Sequence, residues 1–174
     1  MEITSDVTLK GPIWAEMLDR LVDEVFATNW DVYALCISIG MMFDGQIDSE
    51  EMVPSDYTEN PRYIPRNVLI HGERKGLLEF MLQAALITTK HVDLTEEKRL
   101  EYAFNDKNNQ LEVPFKPLSF LTSFANYGIS KLKDALDDAT DVELLERIMN
   151  FLKDTYETGY DPTEGLELDL DAFD

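Results

Sequence analysis

The sequence has one cysteine, Cys36, in 174 residues. A lone thiol closes no internal disulfide and supplies no cysteine-based zinc site. Set within an apolar run, it reads as a small core hydrophobe. Histidine is nearly as scarce. His71 and His91 are the only two, 20 residues apart, and neither belongs to a His-x-x-x-His or His-Glu-x-x-His pattern of a catalytic zinc helix. His71 lies in a polar stretch with Arg74 and Lys75 and reads as an exposed loop residue. Gly-x-Ser-x-Gly, a phosphate-binding glycine loop and a local Cys–His signature are all missing. Carboxylates are so abundant that any two form a nominal acid/base pair, which carries no information. The residues therefore assign no catalytic group, no metal and no cofactor, and the expectation is a protein that is not an enzyme.

Basic residues are the next shortage. Fifteen Lys and Arg stand against 35 Asp and Glu, for a formal net charge of -20 and a pI near 4.3. Phosphate-backbone binding needs clustered Lys and Arg, so direct nucleic-acid binding is not expected. A protein partner with a basic surface suits this charge through steering and complementarity. The same charge also serves solubility. Arg62, Arg66, Arg74 and Lys75 do fall close together, and Lys131 and Lys133 form a second pair. They either pair with neighbouring acids or converge to hold an anionic group. Glu2 and Asp6 stand where a secretion signal would carry basic residues. The one long apolar run, residues 32–43, is shorter than the roughly 20 residues a membrane span needs. No membrane association and a cytoplasmic location are expected.

That apolar run is the feature the rest of the chain is built around. Between Val32 and Phe43 only Ser38 and Gly40 are neither apolar nor aromatic, and there is no charge. A helix apolar on every side belongs inside a bundle. The expected fold is all-α: one domain, residues 1–159, of five to six helices around a buried central helix at about 31–43, with a long acidic loop and an acidic tail at 160–174. Residues 1–11 read as a loose lead-in or a short edge strand. Pro12 suits a first helical turn, and Ile13, Trp14, Met17, Leu18, Leu21, Val22, Val25 and Phe26 continue a helical stripe. Asn29 or Asp31 is placed to cap the central helix. Ile64 to Leu69 reads as an extended segment turning into a short helix or strand. A helix over about 73–89 presents Leu77, Leu78, Phe80, Met81, Ala84, Ala85 and Ile87 at helical spacing. Asp93-Leu-Thr-Glu96 has capping-box spacing for a short helix ending near Phe104. Asn105 to Gln110 reads as a polar turn, followed by a brief extended piece from Leu111 to Phe115. Pro117 opens the longest helix, with Leu118, Phe120, Leu121, Phe124, Ala125, Ile129, Leu132 and Leu136 on one side. Gly128 inside it points to a close helix crossing at Ala125 and Gly128. Thr140-Asp-Val-Glu143 is a second capping box. The helix it starts is expected to bury Leu144, Leu145, Ile148, Met149, Leu152 and Tyr156, and to stop at Gly159.

The segment 44–66 holds Gly45, Pro54, Pro61 and Pro65, and six acids with no base before Arg62. These acids, Asp44, Asp48, Glu50, Glu51, Asp56 and Glu59, are candidates for binding a basic partner, because a loop this long is functional or mobile. Asp44 to Glu51 also copies the back half of a calcium-binding EF-hand loop, with Asp44, Gly45, Asp48 and Glu51 at matching places. The front half fails, since Gly40 and Met42 fall where carboxylates are needed. The other reading is a helix end: Asp44-Gly45 turns the chain, and Asp48 or Ser49 caps a short helix near Ser49 to Met52.

The tail interleaves Leu166, Leu168, Leu170 and Phe173 with Glu167, Asp169, Asp171 and Asp174. Such alternation docks on a basic, grooved partner, adds as a strand to a partner's sheet edge, or packs on its own domain. Glu167, Leu168, Asp169, Leu170, Asp171 and Phe173 complete the partner-binding candidates.

Three segments in order carry a family resemblance: Asp31 to Gly40, Ile64 to Leu69, and Phe124-Ala-Asn-Tyr-Gly-Ile-Ser-Lys-Leu132, with a helix around Leu77 to Thr89 between the last two. In outline, residues 14–136 resemble the small accessory proteins of bacterial DNA-phosphorothioation (Dnd-type) modification and restriction systems. The acidic 44–61 segment, the final helix and the tail depart from that pattern. The resemblance implies an accessory or regulatory role in genome defence. A second resemblance, through Asp44-Gly-Gln-Ile47 and Glu50, is to the TerB-like helical fold. Two readings follow. One is an interaction subunit of a DNA-modification or phage-defence complex. The other is an acidic DNA mimic that inhibits a target by occupying its nucleic-acid channel.

Overall fold

The computed structural model describes residues 1–58, 60–90, 95–104 and 116–159. The fold is mostly helical, as expected, with seven α-helices and one two-stranded ribbon among the described residues. Strand β1 (Val7–Leu9) pairs antiparallel with β2 (Arg62–Ile64) in the register Val7 to Ile64, Thr8 to Tyr63 and Leu9 to Arg62. The edge strand expected in residues 1–11 is β1; of the segment expected to be extended from Ile64, only Ile64 belongs to its partner, whose Arg62 and Tyr63 lie in the stretch read as irregular loop. Val7, Leu9 and Ile64 are buried while Tyr63 is exposed, the period-two alternation of a ribbon laid on a core.

Helix α1 (Pro12–Leu21) buries Trp14, Met17, Leu18 and Leu21. It ends earlier than its apolar stripe. Val22 is extended, Asp23 takes a left-handed φ of 75°, and the Phe26 N–H returns to the Leu21 carbonyl. A short polar side chain tolerates that backbone, and Val22 and Val25 are β-branched and favour extended geometry. Val22 to Phe26 therefore forms a closed turn that still packs on the core.

Helix α2 (Asn29–Met42) is the central helix. It buries Trp30, Val32, Tyr33, Ala34, Cys36, Ile37, Ile39 and Gly40. Its N-cap residue is Thr28 rather than Asn29 or Asp31, and the Thr28 hydroxyl donates to Asp31 Oδ2 at 2.8 Å. Helix α3 (Arg66–Leu69) is a single turn, and α4 (Gly72–Thr88) follows it. Helix α4 buries Leu78, Met81, Leu82, Ala85 and Leu86. Leu77, Phe80 and Ile87, expected in the core, are exposed. Helix α5 (Glu96–Phe104) packs on α4, and the Lys98 N–H reaches the hydroxyl of Thr95 at 3.4 Å. The expected Asp93 cap lies outside the described residues, as do the turn at 105–110 and the extended piece at 111–115.

Helix α6 (Pro117–Leu136) is the longest and packs more extensively on α2 than on any other element. Leu121, Phe124, Ala125, Ile129, Leu132 and Leu136 are buried along it, each of the large side chains stabilising by about 1.5–3 kcal/mol if fully desolvated. The α2–α6 crossing is a backbone approach from both sides. A methyl group on Gly40 would collide with the Phe124 carbonyl, and one on Gly128 with the Cys36 carbonyl. The expected close crossing at Gly128 is therefore present, and Gly40 is its counterpart.

The Thr140–Glu143 box forms: the Thr140 N–H and hydroxyl both donate to Glu143 Oε2, at 2.9 and 2.7 Å. Its first turn, Asp141–Glu143, is 3-10, and α7 (Leu144–Gly159) continues from it. Helix α7 buries Leu144 and Ile148 but leaves Leu145, Met149 and Tyr156 exposed, against expectation. No helix among the described residues is long and apolar enough to cross a membrane.

Candidate interaction surface

The acidic loop begins where α2 ends. Asp44 has a left-handed φ of 47°, its N–H bonds the Met41 carbonyl at 3.1 Å, and the Gly45 N–H bonds the Gly40 carbonyl at 2.9 Å. These are the two hydrogen bonds of a Schellman closure, with Asp44 rather than the glycine in the left-handed position. The Asp44 carboxylate accepts the Lys90 N–H at 2.9 Å, fastening the helix end to the end of α4. Asp44 is thus a structural acid first.

The loop is then pinned from beneath by Asn126, which is 1% exposed. Its Nδ2 donates to the Ile47 carbonyl at 3.0 Å and to Ser49 Oγ at 3.3 Å. Its Oδ1 accepts from Trp14 Nε1 at 2.8 Å. The Ile47 N–H meanwhile bonds the Ser123 carbonyl at 3.0 Å. One amide therefore ties the loop, α1 and α6 together. Unpaired, these buried groups would each cost about 1–3 kcal/mol. Met52, also buried, lies against the backbone of Gly11, whose φ of 93° only glycine adopts without strain.

Between these anchors the chain makes successive turns, Asp48 carbonyl to Glu51 N–H and Glu50 carbonyl to Val53 N–H, rather than the short helix expected near Ser49 to Met52. Asp48, Glu50, Glu51 and Asp56 are all exposed. Glu50 pairs with Lys10 Nζ at 2.9 Å. No three acids, histidines or cysteines among the described residues converge as a metal site, so Asp44, Asp48 and Glu51 do not assemble the half-loop of an EF-hand. Glu59 and residues 160–174, with Glu167, Leu168, Asp169, Leu170, Asp171 and Phe173, lie outside the described residues.

Exposed apolar residues border the loop at both ends. Met42 and Phe43 precede it, and Tyr63 follows it. Phe43 is held in place, stacked on Phe151 at 6.4 Å between centroids and tilted against Tyr127 at 6.1 Å. Lys131 lies over Phe43 and Tyr127, at 6.0 and 5.5 Å from the ring centroids.

Most of the basic residues singled out in the sequence have partners within the fold. Arg62 grips Asp19 with two bonds of 2.5 and 2.6 Å, Lys75 pairs with Glu79, and Lys133 pairs with Glu16 and Asp137. Arg66 spends its Nε on the Ile3 carbonyl at 2.7 Å. Most of these cations brace the fold. Arg20 does likewise, donating to the Leu136 and Ala139 carbonyls and joining α1 to the α6–α7 turn.

Sequence reasoning missed Asn126 as an anchor. The one signal was a polar side chain inside an apolar stripe, Phe124-Ala-Asn, at a position facing the core. It missed Met42, Phe43 and Tyr63 as surface residues, because apolar type does not reveal exposure. No protein-family model, no curated protein and no solved structure matches the chain.

Proposed function

We propose that the chain is a non-enzymatic interaction subunit that binds a protein partner with a basic surface. The observation that carries this reading is the acidic loop, anchored by Asn126 and Met52, presenting Asp48, Glu51 and Asp56 between exposed Met42, Phe43 and Tyr63. Carboxylates steer a basic partner, and exposed apolar side chains, Phe43 held by its ring contacts among them, supply desolvated contact. A DNA mimic needs acids spaced like phosphates over one exposed face, whereas a subunit needs exposed apolar residues beside its acids, and exposed Met42, Phe43 and Tyr63 at the ends of the loop favour the subunit. The assignment to a bacterial DNA-modification or phage-defence complex rests on the resemblance carried by Asp31 to Gly40, Ile64 to Leu69 and Phe124 to Leu132.

Co-expression with the neighbouring genes tests the reading. The wild type should co-purify in a stoichiometric complex, and the D48K/E51K/D56K variant should be lost from it while its circular dichroism is unchanged. A complex that survives the triple reversal removes the loop as the binding surface. Binding that duplex DNA displaces from the partner would make the mimic the better reading.

A further inference from the structure

Helix α7 carries two apolar rows. Leu144 and Ile148 form the inner one, with Phe151 packed beside them. The outer row is Leu145, Met149, Leu152 and Tyr156, at intervals of four, three and four residues. Leu145 and Met149 are each 60% exposed, Tyr156 is 68% exposed, and Leu152 is half-buried. Val142 in the preceding turn extends the row and is almost fully exposed. Alternating three- and four-residue steps are the spacing of a coiled-coil seam, which one further helix covers.

The charges beside the seam identify that helix. Glu146 and Lys153 each follow a seam leucine by one residue, on its outer flank, and both are exposed, with Lys153 in a loose 3.8 Å pair with Glu157 that leaves it accessible to a further carboxylate. Within α7, Glu146, Asp154 and Glu157 stand against Arg147 and Lys153, so the helix is nearly neutral in a chain of net charge -20. Two copies can therefore meet here without the repulsion that the rest of the surface imposes.

We propose that α7 pairs antiparallel with α7 of a second copy across Leu145, Met149, Leu152 and Tyr156. The register that sets Met149 against the second copy's Leu152 also sets Leu145 against its Tyr156. It brings Glu146 beside the second copy's Lys153, and two-fold symmetry repeats the pair. A parallel pairing would place Lys153 near Ile148 and form no such pair. This dimer does not depend on the function proposed above.

Sedimentation of the full chain over a concentration series tests the pairing. A species of twice 20.0 kDa that dissociates on dilution is expected. M149E should raise the dissociation constant about tenfold or more, because it buries a charge in the seam. E146K and K153E should each weaken the dimer about fivefold, and the double reversal should restore it. The charge swap leaves the apolar row intact, so it decides the matter even if M149E folds poorly. A chain that stays monomeric overturns the pairing. So does a double reversal no better than the single ones. A monomer whose melting temperature falls in M149E would show the row covered within one chain, and would overturn it as well.

Discussion

Gly128 of α6 lies directly against the Cys36 carbonyl of α2, with no space for a methyl group between them. Intrinsic helix propensity favours alanine over glycine by about 1 kcal/mol. Overpacking a rigid crossing costs about 1–3 kcal/mol, and here the obstacle is backbone rather than a flexible side chain. G128A should therefore be destabilising by about 1–2 kcal/mol net. Urea denaturation measures it, and a stabilised variant would mean that the two helices can slide apart freely.

The same crossing seals Cys36. It is fully buried, and burial pushes its thiol well above its ordinary pKa of 9.0. Only the thiolate is nucleophilic, so the native protein should resist iodoacetamide at pH 8 and react after unfolding. Mass spectrometry of the alkylated chain checks this. Rapid native labelling would show that α2 opens.

Asn126 holds the loop from below. N126L should leave the Trp14 indole N–H and the Ile47 carbonyl without their partner and destabilise by about 2–4 kcal/mol. Hydrogen exchange should rise at Ile47, whose N–H bonds the Ser123 carbonyl, before it rises in α2. Uniform loss of protection across the chain would show that Asn126 serves global stability alone.

Asp44 sits left-handed at the end of α2 and accepts the Lys90 N–H. D44A removes that acceptor and places alanine in a backbone that costs non-glycine residues about 1–2 kcal/mol. D44G removes the acceptor but relieves the backbone. Thermal melts should rank wild type above D44G and D44G above D44A. Equal losses in the two variants would assign the whole effect to the hydrogen bond.

The Glu143 carboxyl is held below its ordinary pKa of 4.5, first by the Thr140 hydroxyl and then by the Thr140 N–H. A carboxyl lowered by folding contributes stability above its ordinary pKa, and that contribution fades as the pH falls through the lowered folded value. Stability measured from pH 6 down to pH 3 should therefore drop less steeply in E143Q than in the wild type. Parallel curves would show that the cap carries none of the acid sensitivity.

Much of the architecture was legible in particular residues. The uncharged run that starts at Val32 marks a helix covered as far as Gly40, Pro12 and Pro117 open helices where proline's missing N–H costs nothing, and Thr140 with Glu143 forms its box. These are local matters, decided by residues within a turn of one another. The exposed acids of the loop were legible too, because charge alone keeps Asp48, Glu51 and Asp56 in water.

Tertiary structure decided what has no local cause. Helix α4 is apolar around much of its circumference, and α7 has an apolar arc wider than the surface it packs on, so periodicity shows that a face is buried without choosing which row of it. Packing chose Leu78, Met81 and Leu82 over Leu77, Phe80 and Ile87, and Leu144 and Ile148 over Leu145, Met149 and Tyr156. It also paired β1 with β2 across more than fifty residues and set Asn126 beneath a loop almost eighty residues away. Sequence by itself determined which segments bury apolar surface. The direction each one faces is set by the neighbouring surfaces it must fit at the same time, and that is a property of the whole packed chain.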